Sequence, residues 1–311
     1  MKTRVITSAF ITLGLIIALL LREIDIVGLY IFDALIVLVG VFAVNEVLKV
    51  RSKAGVNRIV VYAYLICALI TFYLMHLNKI ALIYNFFIQV SLLCVFILYA
   101  FFSIIADRTL VKQTRINDTK YSGEVGTRLL DNIIAFVYPG MLLLTLIVVN
   151  HIGDYVSSAG INAGLFALLM VFAVACTSDV FAYLVGINFG GPKLCPKISP
   201  KKTYSGAIGG LLGGVVASLV VLAFFINTQF SDFLYSKFNE LYIIYGVFVI
   251  LGLLGSVISQ LGDILASIVK RRAGVKDYGN ILPGHGGVMD RMDAISTNSV
   301  FMLIMMLIIL I

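Results

Sequence analysis

The chain has 311 residues, of which 61% are apolar and 13% are charged. Soluble domains contain about 45–50% apolar and about 25% charged residues, so this composition excludes an ordinary soluble protein. The formal net charge is +7. In a membrane protein the distribution of basic residues among the loops is more informative than their sum, and we expect no nucleic-acid partner.

Nine apolar runs follow one another along the chain, each about as long as a helix that crosses a hydrocarbon core of roughly 30 Å. We therefore predict an all-α, polytopic integral membrane protein. The first run lacks a small-x-small cleavage site, and we expect it to be retained as a span. The predicted spans cover residues 5–21, 26–48, 59–77, 80–105, 129–149, 161–189, 205–226, 241–266 and 294–311.

The basic residues of the loops predict the orientation of these spans. If the N-terminus is cytoplasmic, all but three of the 23 Lys and Arg residues fall on the cytoplasmic side, the exceptions being Arg22, Lys79 and Lys237. The positive-inside rule then predicts an N-inside, C-outside topology. We divide the chain into an N-terminal transmembrane bundle, residues 1–160, and a C-terminal transmembrane region, residues 161–311, which carries the polar motifs.

A first polar motif precedes the seventh predicted span, on the predicted cytoplasmic side. It contains the hydroxyl side chains of Ser199 and Thr203 and the ammonium groups of Lys201 and Lys202. These groups suit phosphate oxygens, and the helix N-terminus that follows adds a partial positive charge. Asp179, near the end of the sixth run, is expected to face the same compartment.

A second polar motif lies between the last two predicted spans, where basic, acidic and glycine residues crowd together. Asp290 and Asp293 are three residues apart and share one face of a helix, and Asp263 lies near the end of the preceding span. Carboxylates at a lipid boundary are costly to desolvate unless a cation neutralises them. Hard oxygen ligands suit magnesium when a polyphosphate supplies the remaining ligands, so we predict a magnesium site at these three residues.

Basic residues and a glycine-rich turn separate the carboxylates of this motif. Glycines permit positive φ and a close backbone approach, so the turn Pro283–Gly287 is expected to point N–H groups at a phosphate. His285 is either a general base or, as we prefer, a residue that hydrogen-bonds phosphate or shapes the turn. For the carboxylates the alternative is ion pairing with nearby Lys or Arg, and for the basic loops it is topology alone.

Two carboxylates in the second apolar run belong to neither motif. Asp33 and Glu46 are expected to face the interior of the bundle or to reach one end of the span. Glu46 lies near the predicted cytoplasmic end, and we assign it no role.

The spacing of the second motif resembles the signature of the CDP-diacylglycerol synthase (phosphatidate cytidylyltransferase) family. The first motif resembles that family's second conserved block, which continues with Trp and Glu where this chain has Tyr204 and Ser205. The likeness covers residues 177–293. The matching patterns are Ser267-x-x-Lys270-Arg271, Lys276-Asp277-x-Gly279, Leu282-Pro283-Gly284-His285-Gly286-Gly287-x-x-Asp290-Arg291-x-Asp293, and Ser199-Pro200-Lys201-Lys202-Thr203 with Gly206.

The resemblance implies that the phosphate of phosphatidate attacks the α-phosphorus of CTP and releases pyrophosphate. It implies a magnesium ion with a companion potassium ion, a homodimer, and an active site on the cytoplasmic side of the plasma membrane in a prokaryote. The implied catalytic residues are Asp263, Asp290 and Asp293, which also bind the metal, with Lys270 and Arg271. The implied substrate-binding residues are Asp179, Ser199, Lys201, Lys202, Thr203, Lys276, Asp277, His285, Gly286, Gly287 and Arg291.

Two alternatives remain open. One is a CTP-dependent enzyme that acts on another lipid phosphate or a polyprenol, such as a CDP-archaeol synthase or a polyprenol kinase. The other, less favoured, is a transporter that uses carboxylates within its spans.

Overall fold

The structure is a computed structural model that describes residues 2–24, 26–51, 58–75, 132–155 and 162–310. These residues form ten helices and a two-stranded sheet. The elements are α1 (Lys2–Arg22), α2 (Ile26–Arg51), α3 (Arg58–Met75), α4 (Asn132–Asn150), α5 (Ile152–Tyr155), α6 (Asn162–Phe189), β1 (Lys193–Cys195), β2 (Ser199–Thr203), α7 (Tyr204–Phe225), α8 (Gln229–Phe238), α9 (Leu241–Arg272) and α10 (Met289–Leu310).

Six of the described helices are long and apolar enough to cross a membrane: α2, α4, α6, α7, α9 and α10. Helices α1 and α3 contain shorter apolar stretches, Ala9–Arg22 and Arg58–Thr71. The prediction of a helical integral membrane protein is therefore confirmed. The predicted span at 80–105 lies outside the described residues, so the number of spans and the topology stay predictions.

The segment between α6 and α7 is the part that a purely helical prediction missed. Here β1 and β2 pair as an antiparallel hairpin, with Lys193 opposite Thr203 and Cys195 opposite Ser199. Pro196 and Pro200 flank or enter these strands, and proline removes the N–H and the helical geometry that a continued helix needs. The hairpin returns the chain to the end of α6, directly before α7 begins.

Glycines on α7 allow this helix to approach its two neighbours closely. A side-chain carbon added at Gly206 would lie 3.3 Å from the Cα of Gly186 in α6, and one added at Gly214 would lie 2.6 Å from the carbonyl oxygen of Gly252 in α9. Small residues are the usual means by which helices pack in membranes. These contacts hold α7 closely against α6 at its start and against α9 near its middle.

Buried polar side chains also join the helices around α9. The hydroxyl oxygens of Ser178 in α6 and Ser256 in α9 are 2.9 Å apart, and Ser256 Oγ donates to the carbonyl oxygen of Gly210 in α7 at 2.8 Å. Asn298 Nδ2 in α10 donates to the carbonyl oxygen of Val171 in α6 at 2.9 Å. These bonds hold the four C-terminal long helices in register, which positions the residues at their ends.

The N-terminal helices pack on this group through α2, α4 and α10. The apolar core is continuous from Phe32 in α2 to Leu307 in α10. The division of the chain near residue 160 stays a prediction, since residues 156–161 lie outside the described part.

Asp33 faces the interior of this N-terminal part, as predicted. One carboxylate oxygen accepts from Asn150 Nδ2 at 2.9 Å, and the other lies 2.7 Å from His151 Nε2. Arg22 Nε donates to Asn150 Oδ1 at 2.8 Å. We call these four residues the Asp33 cluster. It is a hydrogen-bonded group near the start of α2, far from the end of that helix that meets α10.

Candidate active site

The hairpin and the start of α7 form one wall of a cavity of about 560 Å³. Thr203, the last residue of β2, caps α7: its hydroxyl oxygen accepts from the backbone N–H of Gly206 at 3.1 Å. The predicted helix N-terminus is therefore confirmed directly after the basic pair. A cavity of this size falls in the range of small-molecule sites.

The cavity brings together five of the predicted site residues, from α6, the hairpin and α9. Lys202 Nζ lies 2.6 Å from Asp263 Oδ2, and both side chains are about one quarter exposed. The described lining residues are Asp179, Ala182, Tyr183, Gly186, Ile187, Lys193, Leu194, Lys201, Lys202, Thr203, Gly206, Ala207, Gln260 and Asp263. Charged groups and an apolar wall thus face the same space.

Lys270 and the carboxylates of α10 form a buried group next to Asp263. Lys270 Nζ donates to Asp290 Oδ1 at 2.9 Å and lies 3.5 Å from Asp293 Oδ2. All three residues are less than 10% exposed. The ammonium also lies 5.3 Å from the ring centroid of Tyr278, where the aromatic face adds to its stabilisation. A buried charge of either sign is costly, and here each has an opposite partner.

Electrostatic proximity connects this buried group with the cavity. Asp263 and Asp179 are near enough to Asp293 for their charges to interact, and Arg291 is near enough to Asp179 to offset its charge. Asp179 and Asp263 lie ten and nine residues before the ends of α6 and α9, and they share one charged region with the first turns of α10. We call it the charged cluster: Asp179, Lys202, Asp263, Lys270, Asp290, Arg291 and Asp293.

Three carboxylates of the charged cluster, those of Asp263, Asp290 and Asp293, are held by lysines rather than gathered around one point. Among the described residues, no three His, Cys, Asp or Glu side chains are grouped closely enough to hold a metal ion. Lys202 pairs with Asp263, and Lys270 pairs with Asp290 and Asp293. The donor chemistry still fits magnesium, which commonly takes one or two carboxylates and completes its shell with water and phosphate oxygens. The magnesium prediction stays open on that basis.

The glycine-rich turn adopts the predicted backbone conformation. Gly284 and Gly286 have φ of +78° and +86°, which glycine adopts without strain. The backbone N–H of His285 donates to the carbonyl oxygen of Leu282 at 2.9 Å, and that of Gly287 donates to Asp290 Oδ2 at 2.9 Å. The N–H of Gly287 is therefore used to hold a site carboxylate.

Of the remaining predicted residues, Arg271 connects the two polar motifs. Arg271 Nε donates to the carbonyl oxygen of Ile198 at 3.1 Å, which joins the end of α9 to the hairpin. Ser199, Lys276 and Asp277 are not among the described residues that line the cavity. Their substrate-binding roles, like that of His285, stay predictions.

Sequence reasoning missed Glu46, which we assigned no role. Its carboxylate oxygens accept from the backbone N–H groups of Val288 and Met289, each at 2.9 Å. A carboxylate within an apolar run indicates that it has a buried polar partner. The neighbouring residues do not indicate which partner, because it lies about 240 residues away in the sequence. Gln260 was missed too. It lines the cavity, and its Nε2 donates to the carbonyl oxygen of Ala207 at 3.2 Å.

Long apolar helices and a hairpin that bring paired carboxylates and lysines together beside a cavity define a membrane protein with a polar site for a charged ligand. The chain belongs to the cytidylyltransferase family, whose model matches residues 2–309. It is similar to the phosphatidate cytidylyltransferase of Bacillus subtilis, with 30% identity over 94% of this chain and 93% of that protein. The phosphatidate cytidylyltransferase of Rickettsia conorii is 34% identical over 58% of this chain and 76% of its own length.

Other similarities are confined to part of each protein. The phosphatidate cytidylyltransferase of Haemophilus influenzae is 38% identical over 43% of either chain. That of Brucella abortus is 33% identical, and the chain spans 43% of its length.

Proposed function

We propose that this protein is a phosphatidate cytidylyltransferase, which converts CTP and phosphatidate to CDP-diacylglycerol and pyrophosphate. The observation that carries the proposal is the charged cluster beside a cavity, held by membrane-length helices. A polar nucleotide and a lipid phosphate need such a boundary between apolar and charged surroundings. The names of the similar proteins favour phosphatidate over other lipid phosphates.

The residues of the cavity would bind and orient the phosphates. Lys201 and Lys202 line the cavity, and Lys202 pairs with Asp263 at a partly exposed position, so its ammonium is accessible to a phosphate oxygen. The capped start of α7 adds the partial positive charge of a helix N-terminus. Phosphoryl-type transfer depends mainly on such positioning and charge stabilisation.

The reaction would form one P–O bond and break another. An oxygen of the phosphatidate phosphate bonds to the α-phosphorus of CTP, and the bond from that phosphorus to the bridging oxygen of the β-phosphate breaks. Pyrophosphate leaves with that oxygen. The basic side chains of the site hold both phosphates in line for this displacement.

We propose magnesium as the cofactor, held by Asp263, Asp290 and Asp293, with a companion potassium ion. When bound, magnesium neutralises the triphosphate and the charge that develops on the leaving group. Without a bound metal, the ammonium groups of Lys202 and Lys270 neutralise the negative charge of the same carboxylates. The pairing with Asp263 would leave Lys202, which lines the cavity, beside a bound phosphate.

We propose further that the site faces the cytoplasm and that the protein is a homodimer. The bond between Arg271 and Ile198 joins the two polar loops, which supports their lying on one side of the membrane. The distribution of basic residues favours the cytoplasmic side. The homodimer rests on the family resemblance.

The test is turnover by the purified protein in lipid nanodiscs. We expect pyrophosphate release that needs both CTP and phosphatidate, with CMP recovered on the lipid. Release of CDP, with the γ-phosphate on a polyprenol, would support the kinase alternative. If pyrophosphate is released only when a different lipid phosphate is supplied, that lipid and not phosphatidate is the substrate. Solute uptake without CTP turnover would support the transporter.

A further inference from the structure

The residues just before α10 provide no side chain that caps its first turn. Residues Gly286, Gly287 and Val288 lead into the helix, and none has a side-chain oxygen to accept its first N–H groups. Met289 is completely buried, so water does not supply the missing partner. An unsatisfied buried N–H is costly. The sequence before α10 therefore requires an acceptor from elsewhere.

Glu46, at the other end of the chain, supplies that acceptor. Its Oε1 accepts from the N–H of Val288 and its Oε2 from the N–H of Met289, each at 2.9 Å. Glu46 is 3% exposed. Both bonds are charge-assisted and lie at the positive end of the helix dipole, which strengthens them.

The same carboxylate fills space that two glycines leave open. A side-chain carbon at Gly279 would lie 2.6 Å from Glu46 Oε1, and one at Gly287 would collide with Oε2. Glu46 therefore contacts both the segment before the glycine-rich turn and the residue after it. A carboxylate that merely reached an end of its span would make neither contact.

Two carboxylates share three consecutive amides at this point. The N–H of Gly287 is bound by Asp290, and the next two N–H groups are bound by Glu46. Displacement of one carboxylate would therefore displace the backbone that holds the other. Asp290 in turn binds Lys270, which also faces Asp293.

We propose that Glu46 is a positioning residue for the site: it fixes the start of α10 so that Asp290 and Asp293 both reach Lys270. The proposal rests on the proposed function, in which these two aspartates act in the reaction. Glu46 itself touches no reacting group. It acts through the backbone of α10, and a helix of the N-terminal part thereby completes the site of the C-terminal part.

The test compares Glu46→Ala and Glu46→Gln with a matched buried carboxylate on the same helix. Asp33→Asn is that control, since Asp33 lies 13 residues away on α2, about 20 Å along the helix. Losing a residue that orients metal ligands costs about 10–100-fold in metal affinity or activity. We expect a kcat drop of that size, and a higher magnesium half-saturation, in Glu46→Ala. Glu46→Gln keeps one acceptor and should lose less. Asp33→Asn should change neither value.

Gly279→Ala provides a second route to the same displacement. Alone, it should lower kcat because its methyl group pushes on Glu46. In the Glu46→Ala background it should add little, since the collision is gone. This variant and Glu46→Gln carry the test if Glu46→Ala does not fold.

Amide hydrogen exchange gives a readout without metal or nucleotide. Exchange at Val288 and Met289, followed by mass spectrometry, should accelerate in Glu46→Ala while peptides of α7 keep their protection. Wild-type kcat and unchanged exchange in the Glu46 and Gly279 variants would overturn the proposal, as would an equal kcat loss in Asp33→Asn. If the wild-type protein itself turns over no CTP, the proposed function fails, and the exchange data still decide whether Glu46 fixes α10.

Discussion

Substitution by asparagine should lower the free energy of unfolding more at Asp290 than at Asp293, because the hydrogen bonds of the two carboxylates differ. Asp290 has donors on both sides: Lys270 at Oδ1, and the N–H groups of Tyr278 and Gly287 at Oδ2, at 2.8 and 2.9 Å. Asparagine turns its NH2 toward one side or the other, so at least one buried donor loses its acceptor. That costs about 1–3 kcal/mol of folding free energy.

Asp293→Asn should lower the free energy of unfolding less than Asp290→Asn does. Its Oδ1 accepts from the N–H of Ala294 at 2.9 Å, a bond that asparagine keeps, and its Oδ2 is 3.5 Å from Lys270 Nζ. Lys270 also retains Asp290. We expect Asp293→Asn to cost about 1 kcal/mol or less.

Activity should fall sharply in both variants. If the two aspartates bind magnesium as proposed, removing either carboxylate should reduce kcat/KM at least about 100-fold, which corresponds to roughly 2.7 kcal/mol of transition-state stabilisation. The double variant should be little worse than the poorer single one, because residues that act as a unit are not additive. The asparagine substitution Asp232→Asn, at an exposed position on α8, serves as the control.

The assay pairs turnover of CTP in nanodiscs with denaturant or thermal unfolding of the same preparations. A folded Asp293→Asn protein with near-normal turnover and unaltered magnesium dependence would refute the reasoning. So would equal stability losses in the two variants, because the contrast follows from their different hydrogen bonds.

Three further outcomes are expected. Lys202→Ala should raise the KM for CTP with little loss of stability, since its partly exposed ion pair contributes about 1 kcal/mol or less. Unchanged kinetics would mean that the basic residues of this loop only determine the membrane topology. Gly206→Ala should lower the free energy of unfolding by about 1–3 kcal/mol, because the added methyl group would lie 2.7 Å from a carbonyl oxygen of α6. Gly246→Ala is the control and should not lower it, because nothing lies within 4 Å of the added methyl group. Cysteines at Lys197 and Lys276 should both react with a reagent confined to the cytoplasmic side, and labelling of either from outside would contradict the shared site.

The sequence predicted most of the helical architecture, because an apolar run of spanning length has few other solutions in a membrane. It also predicted that Asp263 and the pair on α10 lie near one another, since they flank one loop. The hairpin before α7 was missed. Its strands are too short to show an alternating pattern, and their pairing depends on where α6 ends.

The pairing of charges was beyond local reasoning. Whether Lys270 meets Asp290 and Asp293 depends on the path of the turn between them, and the same residues in an extended loop would face water. Glu46 shows the limit most clearly. Its role is set by the packing of α2 against α10, and no residue near Glu46 in the sequence indicates that contact.

The Glu46 contact also has a consequence for biogenesis. Val288 lies 242 residues after Glu46, and ribosomes add about 5–20 residues per second, so roughly 12–50 s pass between the synthesis of the two. During that interval the carboxylate sits at the end of an inserted helix without the amides that it will bind. The charged cluster is therefore complete only once α10 has been made and packed against α2, and nascent chains halted before that point lack the pairing of Lys270 with Asp290 and Asp293.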